Sequence, residues 1–509
     1  MELRPYQEKT INRVKQFINE PKQELIIKLH TGLGKTFLMP RIAKELNQQG
    51  YSVLVLSDIM QLIYQLEEHF QDMQLEVSRI VSETKTNILS DITLASEQTL
   101  CNRLKRVNKR EKLIILYDEA HKRRFGDRFQ AIIEYLEPTK LLGFSATPFD
   151  MNGVLLFDNI YEPITYREAI EQGYLTPIKY YIPKVVESIN FDSIDKGSNL
   201  DYSAKDIAKL YDTKEFAEWF KKFYYENQCD KKQTLIFTGS IEQAEMVHKW
   251  IGSDVCELVH SKRKQEENQK CINDFKQGKI KTLISVTSLT TGFDAPNVTD
   301  IINLRPTKSI PLFFQIAGRG SRIHNSKNQC NFYDITDTLI RFGLPEQFKP
   351  FKTKEEAKQW LANQTLIESY LKHKKEDIVE VTEEKLEKFE IELEELENQP
   401  LHLLTLEQLR DIYWSTNNVR KMVLVLNELW RRYRGFQYRS KTLEWIITEI
   451  NNYLVLMENY NKGRSFLKAI KTRGANLFKK RKKLPALGHF ASWFYEQQIR
   501  KYLLENLNF

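Results

Sequence analysis

The feature that most constrains this chain is a rhythm. Through the first 345 residues, short apolar runs alternate with longer helical stretches. The runs 24–29 (ELIIKL), 52–57 (SVLVLS), 92–96 (ITLAS), 112–119 (KLIILYDE) and 140–147 (KLLGFSAT) read as strands. They are nearly continuous in apolar side chains rather than alternating, so both faces of each must be covered. Helical segments such as Leu38–Gln49 and Gln61–Phe70 lie between them. Strands separated by helices belong to a parallel sheet, because each crossover needs a connection of that length. A second series follows at 234–239 (TLIFTG), 281–287 (KTLISVT) and 300–304 (DIINL). The fold class is therefore α/β, with two parallel-sheet domains in tandem and a mainly helical C-terminal region. The join falls within 175–205, and the expected spans are 1–180, 181–350, a charged helical linker 351–400 and a basic helical domain 401–509.

Charge follows the same division. The formal net charge of +8 is spread unevenly. Residues 351–400 carry 8 basic and 14 acidic side chains, whereas 401–509 carry 20 and 8. A basic tail points to an acidic partner such as nucleic acid or anionic lipid. Within it, Arg431, Arg432 and Arg434 are interleaved with Trp430, Tyr433, Phe436 and Tyr438. Aromatics can stack on bases while arginines take phosphates; a helix with inward aromatics and solvated arginines reads equally well. Residues 479–483 (KKRKK) form a compact cationic cluster. The stretch 383–397 places Leu386, Phe389, Leu393 and Leu396 at helical spacing in a highly charged helix, a solvated linker or a short coiled-coil seam. A protein partner could dock through 351–509.

Several classes drop out. No apolar run approaches the length of a membrane span. The first residues lack the apolar core of a secretory signal. Cys101, Cys229, Cys256, Cys271 and Cys330 are scattered without a CxxC pair, so neither a disulfide framework nor a zinc or iron–sulfur site is supported. A reducing, cytoplasmic setting is expected.

The strongest local signal follows the first strand: Leu29-His30-Thr31-Gly32-Leu33-Gly34-Lys35-Thr36. Strand, glycine-containing loop, Lys-Thr and helix is the context of a phosphate-binding loop. Glycines let the backbone N–H groups turn onto phosphates, Lys35 would reach the β and γ oxygens, and Thr36 would hold Mg²⁺. The full GxxxxGK[ST] pattern would put glycine at position 29, where Leu29 stands.

Two acids, Asp118 and Glu119, end a buried strand and precede Ala120 and His121. Adjacent carboxylates at such a place are costly unless they serve something. Asp118 can hold Mg²⁺, and Glu119 can orient and deprotonate an attacking water. Ser145 and Thr147 end the fifth strand. In the second domain, Gln315 opens the run that ends Gly318-Arg319-Gly320-Ser321-Arg322. Its two arginines, one helical turn apart, could face a γ-phosphate across a cleft. Upstream, Thr287 and Thr290 offer hydroxyls to a phosphate backbone, and Asp294, with Gly292, offers an acid to a ribose or an arginine.

This set, in this order, resembles a superfamily 2 helicase of the DEAH type over about residues 1–345. Leu3-Arg4-Pro5-Tyr6-Gln7 is similar to the family's adenine-reading element. Ser57 to Gln65 and Ser96-Glu97-Gln98-Thr99 resemble its strand-contacting motifs, and Phe237-Thr238-Gly239 looks like its fourth motif. The resemblance implies RecA-like domains with ATP and Mg²⁺ between them. It implies an adenine site at Arg4 and Gln7, a phosphate site from Thr31 through Leu33 to Thr36 that includes Gly32, Gly34 and Lys35, and contributions from Gly292 and Asp294. It makes Lys35, Asp118, Glu119, Gln315, Arg319 and Arg322 catalytic, and His121, Ser145 and Thr147 the coupling residues. Ser57, Ser96, Gln98, Thr99, Thr238, Thr287 and Thr290 would touch nucleic acid.

Gln315, where RNA helicases of the DEAD kind carry histidine, leans toward DNA, whether single-stranded, forked or duplex; RNA stays open. Residues 169–178 and 292–322 resemble the motors of type III restriction enzymes and RadD-like repair helicases. The latter carry a cysteine cluster that this chain lacks. A nuclease is not supported: Glu383-Glu384-Lys385 near Asp377 is too cramped, and no glycine-rich methyltransferase loop occurs. The expected function is an ATP-dependent DNA helicase or translocase in repair, replication or recombination. The alternatives are the motor subunit of a restriction or defence complex, or an ATP-gated sensor that does not separate strands.

Overall fold

The computed structural model describes residues 2–123, 126–194, 201–286, 295–362 and 376–386, with the single positions 367, 371, 374, 388, 389 and 408. The chain divides into two compact units, 1–387 and 388–509. Both sheets lie in the first.

The first sheet has strands β1 (Glu24–Lys28), β2 (Ser52–Ser57), β3 (Ser78–Ile80), β4 (Ile92–Ser96), β5 (Leu113–Asp118), β6 (Lys140–Ser145) and β7 (Ile160–Tyr161). Their order is β3-β4-β2-β5-β6-β1-β7, and every pairing is parallel. Every residue of β2, β4 and β5 is buried. The reason is visible in the cores. Leu25, Ile27, Val53, Val55, Ile114 and Leu116 point to one face and pack with helices Pro5–Phe17, Lys35–Gln48 and Met60–Asp72. Ile26, Leu54, Leu56, Ile115 and Tyr117 point to the other and pack with helices Glu97–Arg103 and Asp127–Leu136. Burying both faces removes apolar area from water twice per strand, which is why the sequence shows continuous apolar runs.

The second sheet has β8 (Ile178–Pro183), β9 (Thr234–Thr238), β10 (Cys256–Val259), β11 (Thr282–Val286), β12 (Asp300–Leu304), β13 (Cys330–Asp334) and β14 (Ile378–Val381). Their order is β10-β11-β9-β12-β13-β8-β14, parallel except for β14, which runs antiparallel to β8. Two tandem parallel-sheet α/β domains are thus present, as the sequence rhythm requires.

Two span boundaries need correction. The second sheet begins at Ile178, inside the 1–180 span expected for the first domain. It also recruits Ile378–Val381 from the span 351–400, for which the sequence predicts helix. Only the pairing partners, Cys330–Tyr333 for the first and Tyr180–Pro183 for the second, assign these strands to the second sheet. Most of 383–397 and nearly all of 401–509 lie outside the described residues.

Candidate active site

β6 lies between β5 and β1 in the sheet, with Asp118 beside Phe144 and Lys28 beside Ser145. This order sets three C-terminal strand ends side by side. The loop after β1, the acids after β5 and the Ser-Ala-Thr turn after β6 therefore converge, although they are far apart in sequence.

The loop after β1 runs into the helix Lys35–Gln48. Gly32 and Gly34 have φ of +91° and +76°, a left-handed backbone that glycine adopts without a Cβ clash. A Cβ on Gly34 would also stand 3.1 Å from Gln7 Nε2. Lys35 and Thr36 occupy the first turn of the helix, whose N–H groups lack intrahelical acceptors and suit an anion. The segment Arg4–Gln7 buttresses this loop. The Tyr6 hydroxyl donates to the Leu33 carbonyl at 2.8 Å, and the Arg4 N–H donates to Gln7 Oε1 at 2.9 Å.

Glu119 follows β5 with φ of +49°. Lys35 Nζ is 4.0 Å from its Oε1, and His121 Nδ1 is 3.4 Å from its Oε2. His121 Nδ1 is also 2.9 Å from Ser145 Oγ, which accepts the Thr147 N–H at 3.0 Å. His121, Ser145 and Thr147 thus form one continuous chain leading away from the acids. The Thr147 hydroxyl is buried with no hydrogen-bond partner among the described residues. Burial pushes against the charge of Glu119, but the combined field of Lys35, His121, Lys122 and Arg319 outweighs it and holds the carboxyl at about 2. Asp118 is buried beside it.

The other wall comes from the second sheet. The helix Ile310–Ala317, which follows β12, carries buried Gln315 and leads into Gly318–Arg322. A Cβ on Gly318 would lie 2.8 Å from Thr31 Cβ, so this wall touches the phosphate loop directly. Ser321 Oγ donates to the Thr31 carbonyl at 3.4 Å. A Cβ on Gly32 would meet Arg322 Cγ at 3.4 Å. Arg319 is 6% exposed, and its charge reaches Glu119.

Other expected residues are placed differently. Ser57 is buried and its Oγ accepts the Ile59 N–H at 3.1 Å. Thr238 is buried and donates to the Ser285 carbonyl at 3.2 Å. Both hydroxyls bond to the chain's own backbone, as buried polar groups at strand ends of a doubly covered sheet must. Ser96 is largely buried, Thr99 is half-buried and Gln98 is exposed, at the start of helix Glu97–Arg103. Thr287, Thr290, Gly292, Asp294, Arg431, Arg432 and Arg434 lie outside the described residues.

Sequence reasoning missed a second layer. Glu162 Oε1 meets Lys28 Nζ at 2.9 Å and His30 Nε2 at 3.5 Å. Burial holds the His30 imidazole below its ordinary range, against the pull of Glu162. Glu162 is 134 residues from Lys28, and no local pattern links them. Tyr174 and Thr176 lie in the stretch 169–178 whose resemblance the sequence shows, but no local pattern there assigns either of them to the site.

Residues 1–150 match the family described as type III restriction enzyme, res subunit, and residues 216–324 match the helicase conserved C-terminal domain. Together these matches give the chain both domain types of a superfamily 2 helicase. Among similar proteins, the Saccharomyces cerevisiae protein named "Putative ATP-dependent helicase IRC3" is 29% identical over 358 residues, covering 65% of this chain and 51% of its own. The irc3 protein of Schizosaccharomyces pombe is 27% identical over 367 residues, covering 68% and 59%. The chain thus spans little more than half the length of these relatives. In fold it is similar to the type ISP restriction-modification enzyme LlaBIII, with a TM-score of 0.50 at 15% identity, over 87% of this chain and 36% of that one. It is also similar to a fragment titled "putative HsdR subunit of a type I restriction enzyme" from Vibrio vulnificus YJ016, with a TM-score of 0.52 at 22% identity, over 67% and 65%. Among the described residues no helix is long and apolar enough to cross a membrane.

Proposed function

We propose that this chain is an ATP-dependent DNA helicase or translocase of the DEAH type. One observation carries the reading: the glycine loop of the first sheet meets Gly318 and Arg322 of the second across a seam, with Lys35 beside Glu119 and the Arg319 charge reaching the same carboxyl. Arg4 and Gln7 would take the base. Lys35 and the free N–H groups of its helix would hold the phosphates. Glu119, ionised at neutral pH, would accept the proton of the attacking water. Arg319 and Arg322 would neutralise charge on the transferring phosphoryl group, with Gln315 set on the same wall.

Thr36 and Asp118 supply hard oxygen donors, and among the described residues no cluster of three or more His, Cys, Asp or Glu makes a closed metal cage. That donor set suits Mg²⁺, which keeps waters and takes phosphate oxygens. When bound, Mg²⁺ neutralises charge on the β and γ oxygens; Thr36 and Asp118 are the residues that would hold it.

Nucleotide adds contacts to the closed arrangement of the two sheets, and hydrolysis removes them. His121, Ser145 and Thr147 relay that change from the acids. The grip on DNA is mainly to phosphate and sugar, from Ser96, Gln98 and Thr99, the segment 287–294 and the basic tail. The decisive experiment measures ATP hydrolysis against single-stranded, duplex and forked DNA and RNA. Stimulation by DNA supports the reading. No hydrolysis with any of them ends it, and stimulation by RNA alone reassigns the substrate. The match of residues 1–150 to the restriction family favours one second reading, a motor subunit whose nuclease lies on another chain. Co-purification of a nuclease subunit would select it.

A further inference from the structure

Three consecutive residues of the connector between the sheets touch three different parts of the candidate site. The helix Tyr166–Glu171 is held in the first core by Ala169 and opens with a capping box between Thr165 and Glu168. Its carbonyl end turns sharply at Gly173, φ +69°, where the N–H groups of Tyr174 and Leu175 both donate to the Ala169 carbonyl, at 2.7 and 3.0 Å. That turn fixes where the next three side chains go.

Tyr174 faces the Arg4–Gln7 segment. The Arg4 guanidinium carbon lies 4.9 Å from its ring centre, and the Tyr6 ring meets it edge-on at 5.3 Å. Leu175 is buried against the phosphate loop, its Cδ2 only 2.9 Å from where a Cβ on Gly32 would sit. Thr176 is buried and holds the second wall twice. Its N–H donates to the Ser321 carbonyl at 2.7 Å, and its hydroxyl donates to the Arg322 carbonyl at 3.0 Å. Pro177 then accepts the Cys330 N–H at 3.0 Å, and β8 begins.

We infer that Tyr174-Leu175-Thr176 is a nucleotide-sensing strap, in which Tyr174 walls the base slot, Leu175 seats the phosphate loop and Thr176 positions Arg322. The inference rests on the ATP reading above. Its physical basis is a short span pinned at both ends: the Ala169 carbonyl holds the N–H groups of Tyr174 and Leu175, and Thr176 holds the Ser321 and Arg322 carbonyls, so little slack separates the base slot from the arginine backbone. Thr176 is a positioning residue, since it touches Arg322 and not the reacting atoms.

The test uses the full chain. Thr176→Val keeps the shape and loses the hydroxyl bond, so kcat for ATP should fall about tenfold with KM within about twofold. Thr176→Ser should restore it. In an Arg322→Ala background, Thr176→Val should cost nothing more, because the two act as one unit. Tyr174→Ala should weaken binding of ATP about tenfold, while binding of inorganic tripolyphosphate, a probe without a base, stays unchanged. Additive losses for Thr176→Val and Arg322→Ala, or equal losses of ATP and tripolyphosphate binding in Tyr174→Ala, would overturn the strap while the motor reading stands. A parent chain that neither binds nor hydrolyses ATP sinks that reading, and the strap with it.

Discussion

Glu119 is pulled in two directions, and the outcome defines what it can do. Burial favours the neutral acid, and the neighbouring Lys35, His121, Lys122 and Arg319 favour the carboxylate; together they win and hold it at about 2. At neutral pH the group is therefore ionised and open to a proton. Glu119→Gln should therefore bind ATP yet hydrolyse it at least about 10²-fold more slowly, the low end of what a positioned base contributes. A single-turnover rate within about tenfold of the parent would reassign the base. Lys35→Ala should lose hydrolysis altogether, since the ammonium beside Glu119 would also be the loop's phosphate ligand; near-parental turnover would end the ATPase reading. A depressed carboxyl is fully charged above its ordinary 4.5 and loses that charge only as pH falls through about 2. Between about pH 5 and 8 the kcat/KM profile should thus show no inflection from Glu119. An acid limb in that window which vanishes in Glu119→Gln would contradict the assignment.

At the scale of the elements, β6 is the strand that makes the site, because it spaces the acids from the phosphate loop. It has a narrow tolerance. Gly143 lies at its centre, where a Cβ would come 2.5 Å from Ile26 Cδ1 on β1 and 2.7 Å from Tyr117 Cζ on β5. The Tyr117 ring cannot retreat easily, since it is fully buried and its hydroxyl donates to Glu24 Oε1 at 2.6 Å. Gly143→Ala should cost about 1–3 kcal/mol, the usual range for overpacking a tight core. Urea unfolding read by far-ultraviolet circular dichroism would measure it, and an unchanged midpoint would mean that the strands can part at no cost.

Two predictions belong to the whole molecule. Arg319→Ala and Arg322→Ala should lower hydrolysis more than nucleotide affinity, because guanidinium groups on the wall facing the loop would act on charge that develops in the transition state. Equal losses in kcat and in affinity would make them ground-state ligands only. Replacing Arg431, Arg432 and Arg434 together by alanine should weaken DNA binding and flatten its salt dependence, by roughly one unit of log–log slope for each phosphate no longer neutralised. An unchanged slope would give the tail a task other than holding phosphate.

The sequence by itself determined the class of fold, because continuous apolar strands separated by helices can be buried only as doubly covered parallel sheets. It also marked Gly32–Thr36, Asp118 and Glu119, Ser145 and Thr147, and Arg319 and Arg322, since each is a short run whose chemistry is local. Strand order, by contrast, is written in no local pattern. Only the tertiary structure put β6 between β5 and β1, buried the hydroxyls of Ser57 and Thr238, paired Glu162 with Lys28 and His30, and added Ile378–Val381 to the second sheet. It alone laid Thr176 against the Arg322 carbonyl. These are contacts between residues far apart in the chain, chosen by packing and by the need to satisfy buried polar groups, and no helical or strand periodicity reports on them.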